Sequence, residues 1–299
     1  MKVKNYAKKV KRYLFYYPCG YFYPKFLSGY IYKYIFKKKL DWKNPKTLNE
    51  KINWLKYNSD TSKWGVLSDK YLVRNYVKEL GLNDILVKNY GVWSNANDID
   101  FNQLPSSFVL KTNHGSGSVF VVKDKSTINI PFIRKSLNDW LKIPYGITQA
   151  EPHYRLIKPL IIAEELLTEI DSDSSSLIDY KIWCFDGKPY SLWVCKNRTE
   201  KSVDVISMDL NWKPIDYAHE PNPHYNLIVD IPQKPKNFSC MLEIAEKLSK
   251  GFPEVRVDLY NINGKIYFGE MTFTSMGGYM TYYSERFQEE LGTKVKLPK

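Results

Sequence analysis

Cysteine and histidine are scarce in this sequence, and neither occurs at metal-binding spacing. The four cysteines are spread over 299 residues without a Cys-x-x-Cys pair, so neither a zinc ribbon nor a disulfide framework is expected. Such usage is typical of a reducing compartment, and a cytoplasmic protein is predicted. His219 and His224 lie in the segment HEPNPH without the usual zinc-ligand companions, so we expect surface residues there rather than a metal site.

A long hydrophobic run is also missing. The longest candidate, residues 26 to 36, contains Lys33 and is too short to cross a bilayer. No signal peptide is expected, because the first apolar segment is aromatic and lacks a small-residue cleavage site. A membrane-spanning protein is therefore not predicted.

Acidic residues are absent from the first forty positions. This segment has eleven basic and thirteen aromatic residues, whereas the rest of the chain has 33 basic and 32 acidic ones, so it supplies nearly all of the net charge of +12. A basic aromatic segment suits an anionic membrane surface, an anionic glycan or a nucleic acid. It equally suits a helical pair that packs its rings on the body of the protein.

Two common nucleotide-binding signatures are absent as well. The P-loop pattern GxxxxGK[ST] does not occur, and no HRD-like or Asp-Phe-Gly motif indicates a protein kinase. The chain shows no internal repeat. Predicted hairpins outnumber β-α-β units, so an α+β fold with a largely antiparallel sheet is favoured over a doubly wound one.

The periodicity of apolar residues and the turn residues give the predicted elements. Helices are predicted from about residue 48 at the capping box Thr47-x-x-Glu50, over 67 to 81, from 131, and over 238 to 251. Strands or hairpins are predicted at 85 to 93, 107 to 123, 157 to 167, 179 to 197 and 255 to 273.

The segment FVLKTNHGSGSVFVV, residues 108 to 122, predicts two strands joined by a loop with two glycines. Gly115 and Gly117 allow backbone amides to approach phosphate oxygens, and Lys111 at the strand end can neutralise those oxygens. Taken alone, such a segment is more commonly a plain hairpin.

The segment RVDLYNINGKIYFGEMTF, residues 256 to 273, predicts a hairpin that brings charged residues together. Arg256 and Asp258 share one face of the first strand. A two-residue loop would place the carboxylates of Asp258 and Glu270 on opposite faces, whereas a three-residue loop, Ile262 to Gly264, would pair Glu270 with Arg256 and bring both carboxylates to one side. We predict the three-residue loop or a bulge of equal effect.

Two carboxylates beside an arginine are typical of a site for Mg²⁺ and a polyphosphate, because magnesium takes one or two carboxylates together with phosphate oxygens. The alternative is a salt-bridge ladder on a solvated sheet face, which is common on hairpins of this kind.

In this order along the chain, SDKYLVRNYVKELG, FVLKTNHGSGSV, IIAEELL, DYKIWCFDGKP and RVDLYNINGKIYFGEMTF resemble the ATP-grasp superfamily of carboxylate–amine ligases. The segments DWKNPKTLNEKINWLK and EMTFTSMGGYM are similar to its TupA-like branch, named for teichuronopeptide biosynthesis. The resemblance implies an ATP-grasp fold, with the nucleotide held between two mainly antiparallel β-sheet subdomains, and ATP and Mg²⁺ as cofactors.

The resemblance also implies a role for individual residues. Nucleotide contacts fall on Lys111, on the loop residues His114, Gly115, Ser116, Gly117 and Ser118, on Glu164, Glu165 and Leu166 at the adenine edge, and on Glu169 or Asp179 at the ribose. Metal ligands fall on Asp258, Glu270 and Thr272, and catalytic roles on Arg256 and Lys181. Thr272 departs from the family's usual Glu-x-Asn pattern, and Lys70 is a weaker correspondence to a helix-borne lysine.

Four regions are expected from these assignments. They are a basic helical arm over residues 1 to 40, an N-terminal subdomain over 41 to 105, a lid subdomain with a flexible glycine loop over 106 to 165, and a C-terminal subdomain with the metal site over 166 to 299.

The function that the resemblance implies is ATP-dependent ligation. An amine, such as an amino acid, is joined to a uronic acid of a bacterial surface polysaccharide or its precursor, and His153, Tyr154, Arg155 and the Met276-Gly277-Gly278 turn are candidates to contact substrate. The basic arm would hold the protein at the inner face of the plasma membrane, and no nucleic-acid partner is expected. The alternatives are a glycosyltransferase, for which Asp171-Ser172-Asp173 is a candidate DxD-type triplet, and a non-catalytic adaptor.

Overall fold

A computed structural model describes residues 12 to 168 and 174 to 298. The chain divides into two compact units. Unit 1 comprises residues 12 to 45, 53 to 71 and 89 to 166, and unit 2 comprises 46 to 52, 72 to 88 and the described residues from 167 onwards.

Among the described residues, five α-helices precede the first strand, and strands predominate in the rest of the chain. The α-helices are α1 Tyr17–Phe22, α2 Pro24–Phe36, α3 Leu48–Asn58, α4 Ser62–Ser68, α5 Val73–Glu79, α6 Ile130–Leu141, α7 Phe238–Ser249 and α8 Glu285–Lys294. The strands are β1 Asn89–Trp93, β2 Phe108–Thr112, β3 Val119–Val122, β4 Ile161–Glu164, β5 Asp179–Phe185, β6 Lys188–Lys196, β7 Val203–Asp209, β8 Tyr225–Leu227, β9 Glu254–Ile262 and β10 Lys265–Thr272.

Unit 1 contains an antiparallel four-stranded sheet in the order β1-β4-β2-β3. Residues of β2 alternate between two faces, so Phe108 and Leu110 are buried in a core that includes Ile133 and Leu137 of α6. Lys111 therefore points to the opposite face. The glycine loop, residues 113 to 118, joins β2 to β3 as predicted.

Unit 2 contains a six-stranded sheet in the order β10-β9-β5-β6-β7-β8, antiparallel except for the pair β7 and β8. Val255, Val257 and Leu259 of β9 are fully buried, and α7 packs on β5, β6 and β9. The alternate residues of β9, including Arg256 and Asp258, lie on the other face. The predicted α+β class with largely antiparallel sheets is confirmed.

The described part of the basic arm is helical, and one side of it packs within unit 1. Leu27, Ile31 and Tyr32 of α2 are buried. A Cβ at Gly20 would lie 2.0 Å from the carbonyl oxygen of Ile147, so the chain approaches too closely there for any other residue. The packing alternative is thus confirmed for this side, whereas other aromatic side chains of the arm are exposed. Among the described residues, no helix is both long and apolar enough to span a membrane.

Two helix predictions have different outcomes. The capping box is confirmed, because the Glu50 amide donates to Thr47 Oγ1 at 3.2 Å and the Thr47 amide donates to Glu50 Oε2 at 3.1 Å. The single helix over 67 to 81 is wrong, since α4 ends at Ser68 and α5 begins at Val73. Asp69 breaks the helix by accepting the amide of Tyr71 at 2.8 Å and the side-chain amide of Asn113 at 2.9 Å.

The hairpin of β9 and β10 corrects the predicted loop. Asn263 and Gly264 form a two-residue turn, both with positive φ (51° and 83°), so the three-residue loop is wrong. A bulge at Gly269 then places Glu270 opposite Asp258, not opposite Arg256 as predicted. The predicted consequence, both carboxylates on one face, is confirmed through the bulge.

Gly269 is expected to be essential to this bulge. A Cβ at position 269 would lie 2.9 Å from the Asp258 carbonyl oxygen, so we expect Gly269→Ala to destabilise the chain by about 1–3 kcal/mol in thermal unfolding. Gly29→Ala is the control, because its Cβ meets nothing nearer than 3.7 Å and alanine favours the helix. Equal melting temperatures for the two variants would contradict the bulge's steric origin.

Candidate active site

In unit 1 the structure brings together two of the predicted nucleotide contacts. Lys111 of β2 and Glu164 of β4 share one face of the sheet, and their Nζ and Oε2 atoms are 2.5 Å apart. Glu165 is exposed and Leu166 half-buried directly after β4. The phosphate lysine and the adenine-edge glutamate of the sequence prediction therefore form an ion pair.

The base of the glycine loop is fixed by Asn113, which is fully buried. Its side-chain amide donates to Asp69 Oδ2 at 2.9 Å, and its side-chain carbonyl accepts the Leu160 amide at 2.7 Å. The Thr112 amide donates to the Ser118 carbonyl at 3.1 Å, which closes the loop. The loop thus has a rigid base.

The tip of the glycine loop is more open. Ser116 and Gly117 are exposed, and Gly117 has a φ of 78°, which favours glycine. Lys70 Nζ donates to the Gly115 carbonyl at 2.6 Å, so this weakly predicted lysine does reach the loop. His114 is buried, with Nε2 3.2 Å from the Ile143 carbonyl oxygen, and burial lowers its pKa. A phosphate contact of His114 stays a prediction.

In unit 2 the predicted catalytic and metal residues lie on one face of the larger sheet. Cross-strand neighbours place Glu270 of β10, Asp258 of β9 and Lys181 of β5 in one row. Thr272 and Arg256 are paired in the adjacent row. The face is set by strand alternation, and the row of Glu270 is set by the bulge.

Arg256 is the centre of this group. Its Nε and Nη2 atoms donate to the two carboxylate oxygens of Asp258 at 2.6 and 2.8 Å. Nη2 also lies 3.2 Å from Thr272 Oγ1 and 3.4 Å from Glu270 Oε1, and Nη1 donates to Ser275 Oγ at 3.0 Å. Its side chain is 10% exposed and that of Asp258 3%.

Lys181 adds a second cation to the same carboxylate. Its Nζ is 2.5 Å from Asp258 Oδ2 and 3.7 Å from Asp179 Oδ2, and Arg198 Nη2 donates to Asp179 at 2.9 Å. Burial opposes the charged lysine, but the carboxylates of Asp179 and Asp258 outweigh it and hold the pKa of Lys181 above its usual range. The lysine is therefore charged at neutral pH.

The burial of these charges decides between the two explanations of the hairpin. A solvated salt-bridge ladder is wrong, because Arg256, Asp258 and Thr272 are all buried. Buried ion pairs contribute little net stability, since the cost of desolvation offsets the attraction. Net stability alone therefore does not account for the cluster.

The donor set fits magnesium bound together with a nucleotide. Asp258, Glu270 and Thr272 offer only oxygen donors, which Mg²⁺ prefers. Among the described residues, no three acidic, histidine or cysteine side chains form a metal cluster. Two carboxylates with phosphate oxygens and water suffice for Mg²⁺, so these residues suit a metal–polyphosphate complex rather than a metal held by protein alone.

Other predicted residues have contacts of their own or lie outside the described part. Glu169 and the triplet Asp171-Ser172-Asp173 lie outside the described residues. His153 is buried and Arg155 exposed in unit 1, where both line a cavity of about 370 Å³ with Thr61, Pro152 and Leu156. Met276 and Gly277 form a left-handed turn in which the Gly277 amide donates to Thr274.

His219 and His224 are half-buried rather than fully exposed. His219 Nε2 lies 2.9 Å from Ser207 Oγ, and burial lowers the pKa of His219 to about 4. The HEPNPH segment therefore packs against β7 instead of lying free.

Sequence reasoning missed four residues that hold the site. They are Asn113 and Tyr145 at the glycine loop, Arg198 on Asp179, and Ser275 on Arg256. Ser275 follows the hairpin motif and was within reach of sequence inspection. Arg198 and Tyr145 act across 19 and 29 positions, for which one sequence gives no signal.

A model of the TupA-like ATP-grasp family matches residues 50 to 296. The chain belongs to this family. The match confirms the predicted resemblance and the ATP-grasp fold, and at the level of the family it confirms the prediction of an ATP-grasp enzyme. No curated protein matches the chain.

Several solved structures resemble this ATP-grasp chain. They include D-alanine–D-alanine ligase from Bacillus anthracis complexed with ATP (14% identity, 70% of this chain and 55% of that chain, TM-score 0.41). They also include L-amino acid ligase from Bacillus licheniformis (13%, 75% and 48%, 0.46) and biotin carboxylase from Campylobacter jejuni (13%, 84% and 54%, 0.44). The ATP-grasp chain spans about half the length of these proteins.

The two acids of the ATP-grasp chain's charged cluster are expected to differ in structural importance. Asp258→Asn removes the carboxylate charge that Arg256, which is buried, shares with Lys181, so we expect a loss of about 3 kcal/mol in the free energy of unfolding. Glu270 has a 38% exposed side chain, and Glu270→Gln should cost less than about 1 kcal/mol. Denaturant unfolding of both variants checks this, and equal losses would contradict the central position of Asp258.

Proposed function

We propose that the chain is an ATP-dependent carboxylate–amine ligase that forms an amide through an acyl phosphate. The observation that carries the proposal is the buried pair of Arg256 and Asp258, with Lys181, Glu270 and Thr272 beside it, in a chain of the ATP-grasp family. Two fixed cations next to two hard carboxylates suit the transfer of a phosphoryl group.

In the proposed mechanism a substrate carboxylate oxygen attacks the γ-phosphorus of ATP and ADP leaves. An amine then attacks the carbonyl carbon of the acyl phosphate, loses a proton and expels phosphate. Arg256 and Lys181 stabilise the negative charge on the transferred phosphoryl group. Mg²⁺, held by Asp258, Glu270 and Thr272, supplies further charge neutralisation when bound.

The residues of unit 1 have a binding role in this proposal. Lys111 neutralises phosphate oxygens, and the glycine loop offers backbone amides to them. Excluding water there protects the acyl phosphate from hydrolysis. Glu164 and the backbone of Glu165 and Leu166 bind the adenine edge, and Asp179 or Glu169 binds the ribose.

The substrates we propose are a uronic acid and an amino acid or other amine. The uronic acid belongs to a bacterial surface polysaccharide, such as a capsule, an O-antigen or a teichuronic-type polymer, or to its precursor. This part of the proposal is supported by the likeness of DWKNPKTLNEKINWLK and EMTFTSMGGYM to the TupA-like branch. The acyl phosphate route needs only a carboxylate and an amine, which both compounds supply.

Thermal unfolding with and without Mg²⁺ and ATP, UTP or UDP-sugars tests which nucleotide the chain binds. Ligand at about a hundred times its Kd should stabilise the chain by about 2.7 kcal/mol. We expect this shift with Mg-ATP, a smaller one in Lys111→Ala and Glu270→Gln, and an unchanged one in Lys188→Ala, an exposed lysine of β6. A shift with UDP-sugars and none with ATP would instead indicate a glycosyltransferase.

Release of ADP then tests the reaction itself. We expect ADP only when a hexuronic acid and an amine are both present, together with amide product detected by mass spectrometry. If ATP binds but ADP release does not depend on uronate, the nucleotide site is supported and the proposed substrate class is rejected.

We also infer that the protein is cytoplasmic and contacts the inner face of the plasma membrane through its basic arm. Phe22, Tyr23 and Phe26 are exposed where α1 meets α2, and Lys33 and Lys37 are exposed further along α2 and just beyond it. Aromatic rings at headgroup depth and lysines near anionic lipids both favour membrane association. Lipid-linked glycans would then be near the enzyme.

Vesicle flotation with the full chain tests this contact. We expect binding to vesicles of phosphatidylcholine with phosphatidylglycerol, weakened by salt and lowered about tenfold by Phe26→Ser, since burying a Phe ring contributes about 1.5–3 kcal/mol. Phe132→Ser is the matched control, because Phe132 is 59% exposed and Phe26 60%. Equal binding by both variants would reject the arm as the contact.

A further inference from the structure

The tip of the glycine loop rests on an aromatic ring from another part of unit 1. A Cβ at Gly115 would lie 2.3 Å from atoms of the Tyr145 ring, a distance that no side chain tolerates. The Tyr145 hydroxyl donates to the Ser116 carbonyl and lies 3.5 Å from Ser118 Oγ. His114 packs edge-on against the same ring, with centroids 5.4 Å apart. Four of the six loop residues thus contact Tyr145.

Tyr145 is itself held in place. Its amide donates to the Ile143 carbonyl at 2.9 Å, and the following Gly146 has a φ of 81°. The Glu151 amide donates to the Gly146 carbonyl at 2.7 Å, and a Cβ at Gly146 would lie 2.2 Å from the Glu151 carbonyl oxygen. The backbone that carries Tyr145 is therefore fixed on both sides of the ring.

Lys70 holds the same loop from a second direction. Its Nζ donates to the Gly115 carbonyl at 2.6 Å, and its amide donates to the Asn113 carbonyl at 3.2 Å. Lys70 lies in the break between α4 and α5 that Asp69 and Asn113 stabilise. The loop carbonyls of Gly115 and Ser116 are thus both bonded to side chains outside the loop.

These contacts show that glycine is required at positions 115 and 117 for different reasons. Gly117 has positive φ and no atom within 4 Å of an added Cβ, so its requirement is conformational. Gly115 lacks positive φ, and its requirement is the close approach to Tyr145. Close approach to phosphate is not needed to explain Gly115.

We propose that Tyr145 is a positioning residue that holds the glycine loop in one conformation for phosphate binding. The ring supports Gly115, the hydroxyl fixes the Ser116 carbonyl, and the loop amides are thereby ordered before ligand arrives. The ligand in this proposal rests on the proposed function, whereas the contact itself does not. Tyr145 touches the loop and not the reacting atoms, so its effect falls on binding.

Hydrogen exchange of the full chain without nucleotide tests the contact. We expect amides of residues 113 to 118 to exchange about tenfold faster in Tyr145→Phe, because one hydrogen bond is lost, and faster again in Tyr145→Ala. Tyr34→Ala, an exposed ring on α2, should leave them unchanged. Unchanged loop exchange in Tyr145→Ala would overturn the proposal.

A steric double variant sharpens the test. Gly115→Ala alone should disorder the loop, because its Cβ overlaps the Tyr145 ring. In the double variant Gly115→Ala/Tyr145→Ala, the loop amides should exchange no faster than in Tyr145→Ala alone. Additive effects would overturn the ring's supporting role. If Gly115→Ala does not fold, recovery of folding in the double variant supports the contact and failure to recover opposes it.

Steady-state kinetics separates positioning from chemistry. We expect Tyr145→Phe to raise the KM for Mg-ATP about tenfold with kcat within about twofold, since the lost bond orders the binding loop. A fall in kcat at constant KM would overturn the assignment. If Mg-ATP does not raise the melting temperature of the wild type, but the loop amides still exchange faster in the Tyr145 variants, the proposed function is rejected and the contact between Tyr145 and the loop stands.

Discussion

A guanidinium inside a β-sheet must be neutralised where it lies, and Arg256 meets this constraint on its own strand. Asp258 is two residues away on the same face, so β9 carries both partners and the pair depends on no other element. Both oxygens of Asp258 accept from Arg256. Lys181, Glu270, Thr272 and Ser275 each contact one member of this pair.

Lys181 and Glu270 lie on either side of Asp258 because β5 and β10 are the two neighbours of β9. Lys181 is directly opposite by regular register, while Glu270 is opposite only through the bulge at Gly269. A regular ladder beyond the Asn263-Gly264 turn would turn Glu270 to the hydrophobic face. One extra residue in β10 therefore decides whether the cluster has a second carboxylate.

The pairing of lysine with carboxylate recurs in both units. Lys111 contacts Glu164, and Lys181 contacts Asp258, each at 2.5 Å. Such pairs give each lysine ammonium group a partner in a partly buried position. In the proposed mechanism phosphate oxygens would replace the carboxylates as partners of the lysines, and Asp258 would instead hold Mg²⁺.

The predictable parts of this structure depend on local rules, and the others on distant contacts. The capping box at Thr47 and the alternation of β9 involve residues within a few positions, and both were predicted. The helix break at Asp69 also involves Asn113, which lies 44 positions away. A local pattern favours one long helix there, but the buried Asn113 side chain competes for Asp69 and ends it.

The glycine loop shows how one pattern can combine two constraints. Its two glycines predict closeness to a ligand, but sequence cannot separate a backbone that needs positive φ from one that needs space. Gly117 has the first need and Gly115 the second, imposed by a ring 30 positions away whose hydroxyl bonds the next residue. A loop restrained in this way pays less ordering entropy when it binds phosphate than a free glycine loop does. The support of Tyr145 thus offsets the flexibility that the glycines introduce.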